Sequence, residues 1–260
     1  MNKLGVAYNL FTGFELIEYS IKCIRKEVDY ICVVYSLTSH RGDKPKIDFL
    51  DDLIELKTKG LVNEIIEYIP DKNKSAKENE TLQRNLGLQK CKENKCTHFA
   101  TMDVDEMYMA DEFKKAKDDI YLNNYNMTAC QMLSYYKYDT IIVDPPEEYY
   151  VPFIYKINNI DRFEEKGFPV IVDGTRKYTI GKYKLYKRDE LQMHHFTYVR
   201  KDIREKLKHS CAFTDEEKIN KIEAHYKRFN RFNDDKILTF HGYSNFKKIN
   251  SRFNIKLKYD

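Results

Sequence analysis

Four apolar, β-rich runs separated by helix-period segments occupy residues 4–102, and this alternation constrains the fold more than any other feature of the chain. Residues 4–9 read as a short strand. Phe14, Leu16, Ile17, Ile21 and Ile24 then recur at helical spacing. Tyr30-Ile31-Cys32-Val33-Val34-Tyr35 is a continuous run of the kind found in buried parallel strands. Residues 49–59 are amphipathic and stop at Gly60. A third strand is predicted over 62–69, closed by Pro70, then a polar loop over 71–80, a helix over 80–94 and a fourth strand over 97–102. The β-α-β-α-β-α-β order predicts a parallel sheet with right-handed crossovers.

The second half changes character. Residues 127–138 and 140–143 read as adjacent strands, broken by Asp144-Pro145-Pro146. Shorter strands are predicted over 149–157, 170–172 and 183–186. Helices are predicted over 199–208 and 214–229, the latter opened by a capping-box pair, Thr214 with Glu217. Phe229, Phe232, Phe240, Tyr243 and Phe246 are expected to pack on the domain. The predicted organisation is one domain over 1–208, made of halves over 1–109 and 110–208, followed by a helical extension over 209–260.

Composition narrows the functional classes. With 42% hydrophobic and 14% aromatic residues, the chain can bury a core and is not a disordered one. The 45 Lys+Arg against 41 Asp+Glu leave a net charge of +4, too small to announce a nucleic-acid binder. No apolar run approaches the ~20 residues of a membrane span, and residues 1–9 turn polar too soon for a signal peptide. Six scattered cysteines fit a reducing compartment. A cytoplasmic location is expected, with peripheral attachment to the inner membrane face as its variant.

The residues that carry chemistry follow the fourth strand: Asp103-Val104-Asp105-Glu106. Two carboxylates just past the carboxyl end of a parallel strand lie where open α/β sheets bind ligands. Hard oxygen donors suit Mg²⁺ or Mn²⁺, and a divalent cation removes the repulsion between like charges held so close. An isolated D-x-D is more often a solvated acidic turn; the apolar strand before it and the helix after it favour the ligand site here.

At this point the sequence resembles a GT-A fold glycosyltransferase, most like the bacterial and viral family 2-type enzymes. Four pieces carry the resemblance, in order: Val6-Ala7-Tyr8-Asn9 with Glu15 in the next helix, Thr81-Leu82-Gln83-Arg84-Asn85-Leu86-Gly87-Leu88, Met102-Asp103-Val104-Asp105-Glu106, and Met193-His194-His195-Phe196-Thr197-Tyr198-Val199-Arg200. They span residues 4 to about 208. The resemblance implies an α/β fold with a mostly parallel, Rossmann-like central sheet flanked by helices, a small antiparallel second half and a helical C-terminus. It implies transfer of a sugar from a nucleotide-sugar donor, with a UDP-sugar expected, to a hydroxyl acceptor, and Mn²⁺ or Mg²⁺ bridging the diphosphate.

By the same resemblance, Asp103 and Asp105 contact the metal, Asp103 also reaches the donor, and a late histidine completes the site. His194 and His195 face opposite sides of a strand, so at most one is a ligand; the resemblance selects His195, and an imidazole donor tilts the metal toward Mn²⁺. Glu106 could hold Arg84 from behind. Tyr8 and Asn9, with Tyr35 and Ser36, are expected on the rim where base and ribose dock. Arg84 and Arg200 are candidates for the diphosphate, with Lys74 and Lys77 vaguer ones. Residues 174–208 hold eleven Lys/Arg, Arg176 among them, against four Asp/Glu. The resemblance also implies that 1–109 is the nucleotide-binding half and 110–208 the acceptor half; for a catalytic base the latter offers Asp144, Glu147, Glu148 and Asp173, with Asp173 favoured over Glu148. Two other readings compete. A nucleotidyltransferase on a similar fold lacks its Gly-rich loop here, only Gly13 lying after the first strand. A nucleic-acid-binding module using the basic, Tyr-rich second half leaves Asp103 and Asp105 unexplained.

Overall fold

A computed structural model describes residues 1–44, 48–164, 167–178, 181–210 and 215–257. The predicted alternation is present. Strands β1 (Leu4–Leu10), β2 (Tyr30–Tyr35), β3 (Glu64–Glu67) and β4 (His98–Asp103) are joined by helices α1 (Phe14–Ile24), α2 (Leu50–Thr58) and α3 (Ala76–Glu93). All three pairings among these strands are parallel, in the order β3-β2-β1-β4. Register places Asn9 beside Asp103, so the ends of β1 and β4 share one edge. Side chains of β1 and β2 are buried on both faces, which is why these strands read as continuous apolar runs.

Helix α3 starts earlier than its apolar period suggests. Ser75 and Glu78 form a capping box, with Glu78 N–H donating to Ser75 Oγ at 3.2 Å and Ser75 N–H to Glu78 Oε2 at 2.8 Å. The helix lies close on the sheet: a Cβ at Gly87 would stand 2.4 Å from Ala7 Cβ, so only glycine permits the approach that seats Arg84. Strand β3 is shorter than the predicted 62–69 and only half-buried, as befits an edge strand.

After β4 come β5 (Glu106–Met107), α4 (Ala110–Asn123), β6 (Met127–Tyr136), β7 (Tyr138–Asp144), β8 (Tyr150–Lys156), β9 (Tyr183–Tyr186) and β10 (Gln192–Tyr198). The central sheet continues β4-β8-β6-β7, with antiparallel neighbours, while β9 and β10 pair parallel with β6. The strand predicted over 170–172 does not form. Ile171 is 82% exposed and only Val172 is buried, so the segment has no face to offer a sheet. It leads instead into a 3₁₀ turn, Gly174–Arg176, which Asp173 caps by accepting from Thr175 N–H at 2.8 Å.

The C-terminal part departs further from expectation. Helix α5 covers only Ile203–Lys208, because Asp202 caps it from Glu205 N–H. Helix α6 (Glu216–Arg228) is capped by Asp215; Thr214, the expected cap, lies outside the described residues, as does Cys211. The chain then forms a hairpin of β11 (Ile237–Thr239) and β12 (Gly242–Lys248), and β12 joins the sheet against β7. Among the described residues the extension is therefore one helix plus two strands, with Phe246 of β12 paired beside Val143 at the edge of β7. Ile219, Ile222, Tyr226 and Phe229 share one apolar cluster with Tyr136, Val143 and Ile203, so packing crosses residue 208. Of the aromatics expected to pack, Phe229 is buried and Phe240 and Phe246 partly so, but Phe232 and Tyr243 are 74% and 63% exposed.

Candidate active site

A cleft of about 540 Å³ opens at the carboxyl ends of β1, β4 and β10. Asp103 and Asp105 reach it from the β4–β5 turn. Strand β10 clamps that turn: His195 pairs with Glu106, and Phe196 N–H donates to the Asp105 carbonyl at 2.8 Å. The D-x-D and the late histidine, ninety residues apart in sequence, are thus held by backbone hydrogen bonds.

Asp103 sits in a closed ionic cluster. Its Oδ1 accepts from Arg84 Nη2 at 3.1 Å and its Oδ2 from Arg176 Nη2 at 2.7 Å. Arg84 is fully buried; it also donates to Thr101 Oγ1, Thr175 Oγ1 and Glu80 Oε1, the last at 2.6 Å. Arg176 makes a two-pronged contact with Glu106, at 2.6 and 3.0 Å. Asp173 closes the ring, 3.6 Å from Arg84 and 3.3 Å from Arg176. Burial alone would raise the Asp103 carboxyl, but Arg84 and Arg176 outweigh it and hold it below the usual range. Glu106 goes the other way: burial pushes it up to about 7 despite Arg176.

Asp105 is arranged differently. It is completely buried, and its Oδ2 accepts from Arg200 Nη2 and from Lys206 Nζ, the latter at 2.9 Å. Its Oδ1 has no hydrogen-bond partner among the described residues. His195 Nε2 lies 3.9 Å from that oxygen. Burial opposes the charge on Asp105, but the Lys206 ammonium and the Arg200 guanidinium outweigh it and hold its carboxyl well below the usual range. Burial lowers His195 more than Asp105 raises it, so the imidazole stays neutral with a lone pair to offer.

This geometry tests the divalent cation that the resemblance implies. An unpartnered buried carboxylate oxygen facing a neutral imidazole is a donor pair that fits such an ion. Asp103 does not extend it, because both of its oxygens are occupied by arginines. No group of three or more candidate ligands occurs among the described residues, so the remaining positions would fall to water or substrate.

The other predicted residues divide between cleft and core. His194 turns inward, as alternation requires, and shares a 2.9 Å hydrogen bond with Tyr135. Asn9 lines the cleft, and neither buried atom of its amide has a partner among the described residues. Tyr8 does not reach the rim; it points to the opposite face of β1, fully buried, with its hydroxyl 3.0 Å from Ser20 Oγ. Tyr35 packs edge-on against Phe49 and does not line the cleft, and Ser36 is buried. Arg200 and Asp173 line the cleft; Arg84, buried beneath it, is spent on carboxylates rather than offered to a ligand. Glu148 is exposed and stands outside it. Of the vaguer lysines, Lys77 lines the cleft and Lys74 does not. Glu106 holds Arg176, not Arg84.

Sequence reasoning missed Lys206, and gave Arg176 no role beyond the basic run. It also missed His40 and Gln83, which meet at 2.9 Å in the cleft wall. The signal for Arg176 was the Asp173-Gly174-Thr175-Arg176 turn after an apolar run. His40 gave none beyond its place after the second strand.

No protein-family model matches the chain. No curated protein matches it either. Among solved structures it is similar to TarS of S. aureus, at TM-score 0.47 and 12% identity over 89% of this chain and 44% of that one. The TarS 1–349 fragment gives the same score, with 73% of that chain covered. GalNAc-T7, solved with UDP, GalNAc and Mn²⁺, gives 0.48 and 9% identity, over 88% of this chain and 52% of that one. The chain therefore spans under half the length of full TarS.

Proposed function

We propose that this chain is a glycosyltransferase that moves a sugar from a nucleotide-diphosphate donor, expected to be a UDP-sugar, to a hydroxyl acceptor. The observation that supports it most is the buried, unpartnered Asp105 oxygen 3.9 Å from His195, beside a cleft also lined by Arg200 and Lys206. Asp105 and His195 would hold the divalent ion, with imidazole favouring Mn²⁺ over Mg²⁺. Such an ion supplies charge stabilisation to the departing diphosphate. Arg200 and Lys206 add donors for the phosphate oxygens, and Asp103 reaches the donor while Arg84 and Arg176 fix its orientation. The unpartnered Asn9 amide, with His40 and Gln83, offers polar groups to the nucleoside.

In the acceptor half, Asp173 is our candidate base, since it is the one carboxylate of the four weighed that lines the cleft. As the bond from sugar C1 to the diphosphate breaks, C1 joins the acceptor oxygen, whose proton passes to Asp173. Glu148 is the second candidate. Thermal-shift titration with UDP-, GDP-, CMP- and dTDP-sugars, with and without Mn²⁺, tests the reading, because a ligand that binds the folded state stabilises it. One donor is expected to raise the midpoint only with the metal, and Asp105→Ala to abolish that shift and transfer. Full activity in that variant would refute the assignment.

A further inference from the structure

The turn after α6 exposes an aromatic side chain among cations. Phe232 is 74% exposed. The Arg231 guanidinium lies 5.0 Å from its ring centre and Lys248 Nζ 5.3 Å away. Arg231 also lies 5.4 Å from the Tyr138 ring. Arg228, Phe229, Asn230 and Tyr138 complete a shallow depression of about 560 Å³. Neighbouring Lys227 is tied to Glu223 at 2.7 Å, whereas Arg228, Arg231 and Lys248 form no ion pair among the described residues. Residues 227–248 carry six Lys/Arg against two acids, Asp234 and Asp235. Asp234 is engaged by Asn230 N–H at 2.6 Å.

An exposed ring kept among unpaired cations calls for a partner that is anionic and has an apolar layer behind its charge. Lipid headgroups over acyl chains have both. Single-stranded nucleic acid stacks bases on several ring faces along a groove, whereas here one ring stands at a turn and cations already lie over it. The patch adjoins the turn at Lys137, beyond the carboxyl end of β6. Strand β6 is antiparallel to β8 and β8 to β4, so this is the end of the sheet at which the cleft opens. Tyr226, two residues before Arg228, ties α6 to the cleft wall: its hydroxyl donates to the Arg200 carbonyl at 2.9 Å.

We propose that this turn docks on a bilayer bearing anionic lipids, with Phe232 entering the interface and Arg228, Arg231 and Lys248 meeting headgroup phosphates. The surface is independent of the transfer reaction proposed above.

Co-sedimentation of the full chain with vesicles is the test. Binding is expected to phosphatidylcholine mixed with phosphatidylglycerol, to be absent with phosphatidylcholine alone, and to fall with salt. The triple variant Arg228→Ser, Arg231→Ser, Lys248→Ser should lose about 100-fold in affinity, at roughly fivefold per basic residue near an anionic surface. Phe232→Ala should lose about tenfold from the apolar part. Removing three lysines elsewhere (Lys22, Lys59 and Lys114, each in a helical ion pair) should leave most of the binding intact. Equal binding by the patch and control triple variants would overturn the proposal, as would an unchanged Phe232→Ala. Tighter binding to a single-stranded oligonucleotide at the same salt would overturn it too.

Discussion

Asp103 and Asp105 stand two residues apart on one turn, yet their surroundings give them opposite characters. Around Asp103, two buried arginines are shared with three further carboxylates, Glu80, Glu106 and Asp173, and both of its oxygens accept hydrogen bonds. That arrangement is a fastener: it ties α3, β4 and the 174–176 turn together. Around Asp105, two cations crowd one oxygen and leave the other facing His195. A buried charge with one bare oxygen is costly to keep. Such an oxygen is accounted for when something binds to it. Repetition of a residue type in a motif therefore does not mean repetition of its role.

The largest effect is expected from breaking the fastener. Arg176→Met leaves the buried Glu106 without its ion-pair partner and takes one of two arginines from the half-buried Asp103, which should cost about 3–5 kcal/mol, read as a fall in the urea midpoint. The two aspartates should then separate cleanly. Asp105→Asn is expected to lower transfer by on the order of 10²–10³-fold and to abolish Mn²⁺ binding by calorimetry. Asp103→Asn should leave Mn²⁺ binding by the protein alone nearly unchanged while lowering stability. If both variants lose the metal equally, the contrast fails. A finer measurement concerns Lys206, whose ammonium sits on Asp105 where it competes with an incoming cation. Lys206→Met is expected to raise Mn²⁺ affinity about tenfold, one charge at close range being worth roughly 1 kcal/mol or more in a partly buried site. Unchanged affinity would mean that Lys206 moves aside freely.

The smallest expected effect is one of pH. An ordinary imidazole gains its proton near pH 6.5 and ceases to be a ligand below it. Burial lowers His195 in the folded state. Its protonation midpoint therefore lies below the ordinary 6.5, and the acid-side loss of Mn²⁺ affinity is expected to be centred below pH 6.5. A decline centred on pH 6.5 would show that His195 is not held neutral.

Much of the frame was legible in the sequence because it rests on local signals. The runs at 4–9, 30–35 and 97–102 became β1, β2 and β4 since a strand buried on both faces must be apolar throughout. Ser75-x-x-Glu78 carried the start of α3 in plain view, although apolar period alone placed it later. Other features depended on contacts the sequence does not order. The run at 170–172 has strand-forming residues but no neighbour to pair with. Residues 237–248 became strands because β7 presented an edge. Tyr8 and Asn9 are adjacent, and which of them faces the cleft depends on which face of the sheet α1 covers.

The sequence by itself determined an α/β chain with an acidic turn beyond its fourth strand, and a second, more basic half. Periodicity and hydrophobic burial act over a few residues and can be read there. Only the tertiary structure decided how the charges pair. Arg84 and Arg176, ninety-two positions apart, converge on Asp103, while Arg200 and Lys206 take one oxygen of Asp105 and leave the other to face His195. The physical reason is that the energy of a buried charge is set by its nearest partners in space, and chain folding, not spacing in the sequence, chooses them.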